Sequence, residues 1–331
     1  MTIKSSGQLG LNGTCTGGSS ARNQIGAEIC KTAGTQLSIN CSAMRTLAGV
    51  ASGQIGYSNF YGKANRTSIT YTFASNASNV SLNVSSGSAP SGGSVSGTYT
   101  AGKTCVTVKI NSGVVIRGCY QGCCSFCGSA NTISLNITGS SSGDHVNLIN
   151  CGTIVGVGGN GGGGGYVSTQ VGINEGQGVG GGSGGIAVKV AISTSITNNG
   201  TIAGGGGGGG GGGPNANYPS IMVAGSGGGG GGGYGKAGCG ARNSSGSYGT
   251  TYPGNNGSTG GQSTGGAGGS STNSNGAGGA GGAWGAVGNY GACGPHPGLG
   301  YGGNRGAAGY YICGNSFVTW TVTGTRYGLS K

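Results

Sequence analysis

The sequence predicts a mainly β protein in three unlike parts. These are a small strand–helix–strand module over residues 1–66, a small β-sandwich over 67–150, and a glycine-rich region over 151–331. In the last, packed polyglycine II-like helices alternate with short strands. Three observations carry this reading. Glycine supplies 89 of the 331 residues, 22 before position 151 and 67 from there on, where ordinary chains hold ~7%. Apolar residues alternate with polar ones over short stretches between 67 and 150. Before them, a pattern of Gln, apolar, small, apolar recurs at Gln8–Asn12, Gln36–Asn40 and Gln54–Ser58.

In the first part each copy of that pattern has the period of two of a short strand. Asn40 is placed to cap a helix over Ser42–Ala48, and Gly49 to stop it. The second part offers strands at Ser68–Phe73, Val80–Val84, Thr104–Ile110, Val114–Arg117, Thr132–Ile137 and His145–Ile149. Turn-rich connections separate them, which suits a small sandwich.

The third part has glycine runs at 161–165, 204–213 and 227–233. A repeat frames two of them: Asn150-Cys-Gly-Thr-Ile and Asn198-Asn-Gly-Thr-Ile lie 48 residues apart. Ordering a glycine costs roughly 1–2 kcal/mol of backbone entropy, and a glycine run buries no side chains in return. Such a run is either a flexible linker or an extended three-residue-per-turn helix, whose outward N–H and C=O groups bond to neighbouring rods. Apolar strands and Pro214-Asn215-Ala216-Asn217 interrupt the runs, and ten of the 15 tyrosines lie in this part. That favours rods over linkers. Tyr218, Tyr234, Tyr248, Tyr252, Trp284, Tyr290 and Tyr301, with Tyr310 and Tyr311, then fall mainly in loops at rod ends. Rings held on a rigid scaffold are suited to binding, while some serve only to cap the bundle.

Composition excludes most catalysis. The only acids are Glu28, Asp144 and Glu175, and the only histidines His145 and His296, too few for carboxylate pairs or carboxylate–metal chemistry. No cofactor is implied. Asp144 and His145 read as a turn, because no nucleophile adjoins them. The formal charge of +12 is dispersed without a Lys/Arg stripe, which argues against nucleic acid and fits attraction to anionic surface polymers. No apolar run reaches the ~18 residues of a membrane span.

Twelve cysteines are present: Cys15, Cys30, Cys41, Cys105, Cys119, Cys123, Cys124, Cys127, Cys151, Cys239, Cys293 and Cys313. An even, dispersed set points to disulfides. The dense Cys119–Cys127 cluster could alternatively ligate a metal, but it has no matching second pair, so disulfides within or between chains are favoured. The N-terminus lacks a secretion signal. Synthesis in a cytoplasm followed by later oxidation is expected, as for a virus particle released by lysis.

A family resemblance covers about a third of the chain. Ser38-Ile39-Asn40, Met44-Arg45-Thr46-Leu47-Ala48-Gly49-Val50, Ser52-Gly53-Gln54-Ile55 and Ser58-Asn59-Phe60-Tyr61-Gly62-Lys63 resemble a module of tailed-bacteriophage tail and fibre proteins, with Cys41 where an Asp often stands. The Asn-Gly-Thr-Ile entry into glycine runs and the closing Thr321–Gly328 are similar to phage glycine-rich adhesins and fibre tips. The resemblance implies a non-enzymatic tail fibre, tail-tip or baseplate-associated protein of the virion, made in the host cytoplasm. Residues 1–66 would attach it to other tail or baseplate proteins. The glycine-rich tip would meet a host polysaccharide, outer-membrane protein or appendage, without membrane insertion or nucleic acid. A homotrimer, or a monomer on a trimeric shaft, is compatible with this. The rival is a disulfide-cross-linked collar, baseplate or shaft subunit without receptor contact.

Overall fold

The computed structural model describes residues 41–60, 66–118, 133–168, 174–217, 221–241, 250–271, 276–295 and 300–331. Helix α1 (Ser42–Ala48) starts at Cys41, whose side chain makes no capping bond, and not at Asn40, which lies outside the described residues. Gly49 ends it in the left-handed conformation (φ 73°), its N–H shared between the carbonyls of Arg45 and Thr46. Met44, Leu47, Ala48, Ile55 and Phe60 bury against one another. The strand expected at Gln54–Ser58 is absent; Tyr57–Phe60 form a 3₁₀ turn instead. The copies at 8–12 and 36–40 lie outside the described residues.

From residue 67 the chain winds through a three-faced β-solenoid. The first coil is β1 (Thr67–Phe73), β2 (Ala77–Ser78) and β3 (Val80–Asn83). After β4 (Gly93–Gly97), which pairs antiparallel with β1, the second coil is β5 (Thr104–Ile110), β6 (Val115–Arg117) and β7 (Ile133–Thr138). The third is β8 (His145–Asn150) and β9 (Thr153–Val155), then, beyond a hairpin of β10 (Tyr166–Ser168) and β11 (Asn174–Gly176), β12 (Ile186–Val190). The fourth is β13 (Thr194–Asn198) and β14 (Thr201–Ala203). It continues past β15 (Asn215–Asn217), β16 (Ile221–Val223) and β17 (Thr250–Tyr252) to β18 (Tyr310–Cys313). The last is β19 (Val318–Val322), β20 (Thr325–Tyr327) and β21 (Leu329–Ser330). The three faces are sheets ordered β19-β13-β8-β5-β1-β4, β2-β6-β9-β14-β20 and β21-β18-β12-β7-β3, and all their pairs except β1–β4 are parallel.

This replaces the sandwich expected over 67–150. The strand positions were legible there, but alternation identifies a strand and its inward face, never its partner. Strands on both sides of residue 150 share the same sheets. Inward residues stack in columns such as Tyr71, Val108, Leu148, Ile196 and Trp320, and the first four are fully buried. At the corner between the first two faces Asn150 donates through Nδ2 to Asn198 Oδ1 (2.8 Å), and Asn198 donates to the carbonyls of Thr323 (2.9 Å) and Thr325 (3.2 Å). Each Asn Oδ1 also accepts from the glycine two residues on. The 48-residue repeat is thus one coil plus its insertion.

The glycine-rich segments are insertions at a single corner, between the second and third faces. Ten extended segments run back and forth: 157–165, 178–185, 204–213, 225–233, 235–241, 254–261, 264–270, 276–283, 286–294 and 300–309. Backbone bonds join them, with partners advancing by three residues. Gly206, Gly209 and Gly212 donate to Gly232, Gly229 and Ser226; Gly205, Gly208 and Gly211 donate to Gly185, Gly182 and Val179; Gly207, Gly210 and Gly213 donate to Ala286, Asn289 and Ala292. The same segment accepts from 157–165, 276–283 and 300–309, through bonds such as Gly162→Gly209, Gly279→Gly210 and Gly306→Gly208. Segment 204–213 therefore has six neighbours, and 225–233 likewise contacts six. Both are wholly buried. The other eight form a ring around these two.

Packing explains the composition. A Cβ on Gly208 would sit 1.9 Å from the carbonyl oxygen of Asn160, and one on Gly209 1.9 Å from that of Gly279, far inside van der Waals contact. The two central segments must therefore be glycine almost throughout. A peripheral segment needs glycine only where it faces inward: Gly288, Gly291 and Gly294 are buried while the residues between them are exposed.

Candidate functional site

The alternating course of the segments gives the bundle two ends. At the near end Gly204 N–H bonds to the carbonyl of Tyr327 in β20, and Gly156 N–H to that of Ala203 in β14. The far end carries β10–β11 and the sheet β15-β16-β17, and there Gly294 bonds to Gly300.

The aromatic candidates divide between these ends. Tyr301 (54% exposed) opens the last segment at the far end, and Tyr252 lies in β17. Tyr218 and Tyr248 lie outside the described residues. Tyr234 and Trp284 lie at the near end instead. Arg117 of β6 stacks over the Tyr234 ring at 5.3 Å, and Trp284 packs on Tyr327 of β20 with centroids 5.9 Å apart. These two rings fasten the bundle to the solenoid. The Trp284 indole N–H is buried with no hydrogen-bond partner. Tyr290 lies midway along a flank, with Arg305 5.0 Å above its ring. Sequence reasoning missed Tyr166, half exposed at the start of β10; its signal was a ring directly after the run 161–165. Tyr310 and Tyr311 are part-buried in β18.

The solenoid's last coil forms a further cluster. Arg326 lies 4.8 Å from the Trp320 ring and 5.3 Å from that of Tyr311. It continues the inward column Ile116, Ile154, Ile202.

Asp144 serves structure. It is buried and accepts from Tyr99 Oη (2.6 Å), Ser141 N (2.8 Å) and Thr104 N (3.0 Å). Burial opposes its charge, but bonds from Tyr99, Thr104, Ser141 and Gly102 outweigh that and hold its pKa below the usual carboxylate value. Among the described cysteines, Cys41, Cys151, Cys239, Cys293 and Cys313 are free thiols within the chain, with Cys239 and Cys293 exposed, and Cys105 is disulfide-bonded. Cys15, Cys30, Cys119, Cys123, Cys124 and Cys127 lie outside the described residues.

A rigid scaffold that projects a backbone-bonded bundle and displays aromatic side chains is built to hold surfaces in contact, which places the chain among attachment proteins. The family model of the phage tail fibre adhesin Gp38 matches residues 68–331. The chain belongs to that family, and it is a component of the virion tail that mediates attachment to the bacterial host surface. The chain is similar to one in the crystal structure of the gp37–gp38 adhesin tip complex of the bacteriophage S16 long tail fibre, at 20% identity and a TM-score of 0.45, over 96% of this chain and 100% of that one. No curated protein matches the chain.

Proposed function

We propose that the far end of the bundle contacts the host receptor, and that residues 1–66 dock the adhesin on other tail proteins. The ten segments are polyglycine II-like helices in this reading, and what supports it is the three-residue advance of partners around 204–213. Three residues per turn sends successive N–H groups in three directions, as six neighbours require. At a rise of about 3.1 Å per residue, the central rod sets the receptor end on the order of 30 Å from the solenoid. Tyr166, Tyr252 and Tyr301 are the contact candidates there; Tyr218 and Tyr248, outside the described residues, stay candidates on sequence grounds alone. Tyr234 and Trp284 anchor the bundle. The chain acts without catalysis and without a cofactor, and its receptor is a polysaccharide, an outer-membrane protein or an appendage.

Adsorption to host cells tests this. The full chain should bind cells and compete with the particle, and Tyr166→Ala with Tyr301→Ala should weaken both while leaving the melting temperature unchanged. A full chain that neither adsorbs nor competes refutes the reading. The exposed thiols of Cys239 and Cys293 favour a second role, cross-linking to neighbouring chains. Non-reducing electrophoresis of particles in which the protein runs only as a monomer refutes that role.

A further inference from the structure

We propose a second binding surface on the flank of the bundle, along segments 286–294 and 300–309, that takes an acidic polysaccharide. It rests on the attachment reading above, but centres on Tyr290 midway along the flank and reaches the far end only at Tyr301. The two segments are bonded side by side through Gly288→Gly306, Gly291→Gly303 and Gly294→Gly300. Their inward positions are glycine, so the remaining positions are free to point outward. Those positions are not filled with small polar residues: Tyr290 is 60% exposed, Tyr301 54% and Val287 43%, and Asn289, Asn304 and Arg305 are exposed beside them.

The register fixes their relation. Tyr290 lies level with the stretch between Gly303 and Gly306, so Tyr301 stands roughly three residues further along, about 10 Å at 3.1 Å per residue. That separation suits stacking of alternate sugar rings in an extended glycan. Arg305 stands beside Tyr290, on the side away from Tyr301, its guanidinium 5.0 Å from the Tyr290 ring centre. Held there, it offers its remaining donors to a carboxylate or phosphate in the fork geometry that guanidinium provides.

Charge complementarity selects the occupant. The sequence holds three acids, and none is in either segment: Glu28 precedes α1, Asp144 is buried in the solenoid and Glu175 is in β11. With 15 cations against 3 acids, the surface attracts anionic polymers at long range. A neutral glycan would find the rings but leave Arg305 without an anion.

The test uses the full chain, immobilised, and the acidic polysaccharide fraction of cells to which the particle adsorbs. The same fraction with carboxylates reduced and phosphates removed is the control. Saturable binding to the acidic fraction is expected, weakened at least tenfold in the neutralised control and by raised salt. Tyr290→Ala and Arg305→Gln should each weaken it about five- to tenfold, and Tyr290→Trp, which keeps a stacking face, should restore it. Both side chains point outward, so unchanged melting curves are expected to accompany these losses. No saturable binding, equal binding to the neutralised fraction, or variants within twofold of the parent each overturn the proposal. Failure of the receptor reading registers separately, as a chain that does not adsorb to cells whatever its polysaccharide binding.

Discussion

Replacing Gly208 with alanine at the centre of the bundle should destabilise the protein severely, whereas the same change at Gly180 should not. Neither residue has a left-handed φ, so the contrast is one of space alone. A Cβ at position 208 would lie 1.9 Å from Asn160 O and 2.4 Å from Asn160 C, both backbone atoms. Relief requires segments 204–213 and 157–165 to separate by more than 1 Å, on the order of what ordinary carbon–oxygen contact demands. The bonds from Gly159 to Gly206 (2.7 Å) and from Gly162 to Gly209 (2.8 Å) flank the site and would both be lost. Each leaves a buried donor and acceptor without water, at ~1–3 kcal/mol per unsatisfied group. The unfolded chain is stiffened by the extra methyl, which returns ~0.4–1 kcal/mol. A net loss of at least about 3 kcal/mol follows. At Gly180 the nearest atom to the new Cβ is Asn304 O at 3.4 Å, an ordinary contact. There only the unfolded-state term survives, and Gly180→Ala should be neutral or stabilising by up to ~1 kcal/mol. Calorimetry of the full chain, at roughly 2 °C per kcal/mol for a chain of this size, should separate the two variants by 6 °C or more. Equal melting temperatures would refute the claim that close approach of bare backbone is what holds the bundle.

Three further outcomes follow from the same geometry. Asp144 has a lowered pKa in the folded state, so its contribution is present above the unfolded carboxylate value near ~3.9 and fades as pH falls through the lower folded value. Asp144→Asn should cost about 2 kcal/mol at neutral pH and flatten the acid limb of a stability–pH curve; an unchanged limb would show that the carboxylate does not matter. Arg326→Ile should complete the column Ile116, Ile154, Ile202 and remove an inward charge from an open sheet edge, so sedimentation should show end-to-end association that the parent lacks. Trp284→Ala should loosen the near end by about 2–4 kcal/mol, and faster hydrogen exchange confined to the glycine segments would locate the effect. Uniform exchange throughout the solenoid would count against the clamp.

Much of the solenoid was legible strand by strand. Thr104–Ile110 was located to the residue, and Val80–Asn83 and His145–Asn150 to within one, because alternation of apolar side chains reports which residues face inward. Partners were not legible. A hairpin announces itself by its turn, but a parallel coil joins strands whose contacts lie from 19 residues apart (Tyr310 and Leu329) to 124 (Ile202 and Arg326), and the insertions make that spacing irregular. The repeated Asn-x-Gly-Thr carried the information, since Asn150 and Asn198 stack in neighbouring coils; the third coil position, Thr323-Gly324-Thr325, was masked by its lack of asparagine. Among the rods, the uninterrupted runs were visible, while 254–261, 286–294 and 300–309 were not. A peripheral rod needs only one glycine in three, which in sequence resembles a loop. The division of the aromatic residues was equally hidden, because Tyr234 and Tyr301 both follow or precede glycines and only the direction of each segment separates an anchor from a displayed ring.

The placement of every insertion at one corner has a consequence for how this adhesin can vary. Between β2 and β3 that corner is a single residue, Asn79, in a left-handed conformation (φ 49°). In the third and fourth coils the same corner carries two rods, then eight. The ends of the rod-bearing insertions already meet at the scaffold, where Gly185 N–H bonds to Val157 O and Gly309 N–H to Gly205 O, so loop closure is met there. The rods bond to one another mainly through backbone, with a few side-chain bonds such as Ser226 Oγ to Ser270 O and Lys236 N to Asn160 Oδ1, so most of their cohesion does not depend on what stands at their far ends. On the proposed reading, receptor loops on such a base can change length and chemistry without disturbing the packing that supports them. Replacing residues 169–173, between β10 and β11, with an unrelated polar sequence of equal length should therefore leave the melting temperature within ~2 °C while altering adsorption. A large loss of stability on that exchange would mean that the far end helps to hold the rods together, and that recognition and folding are not separable in this protein.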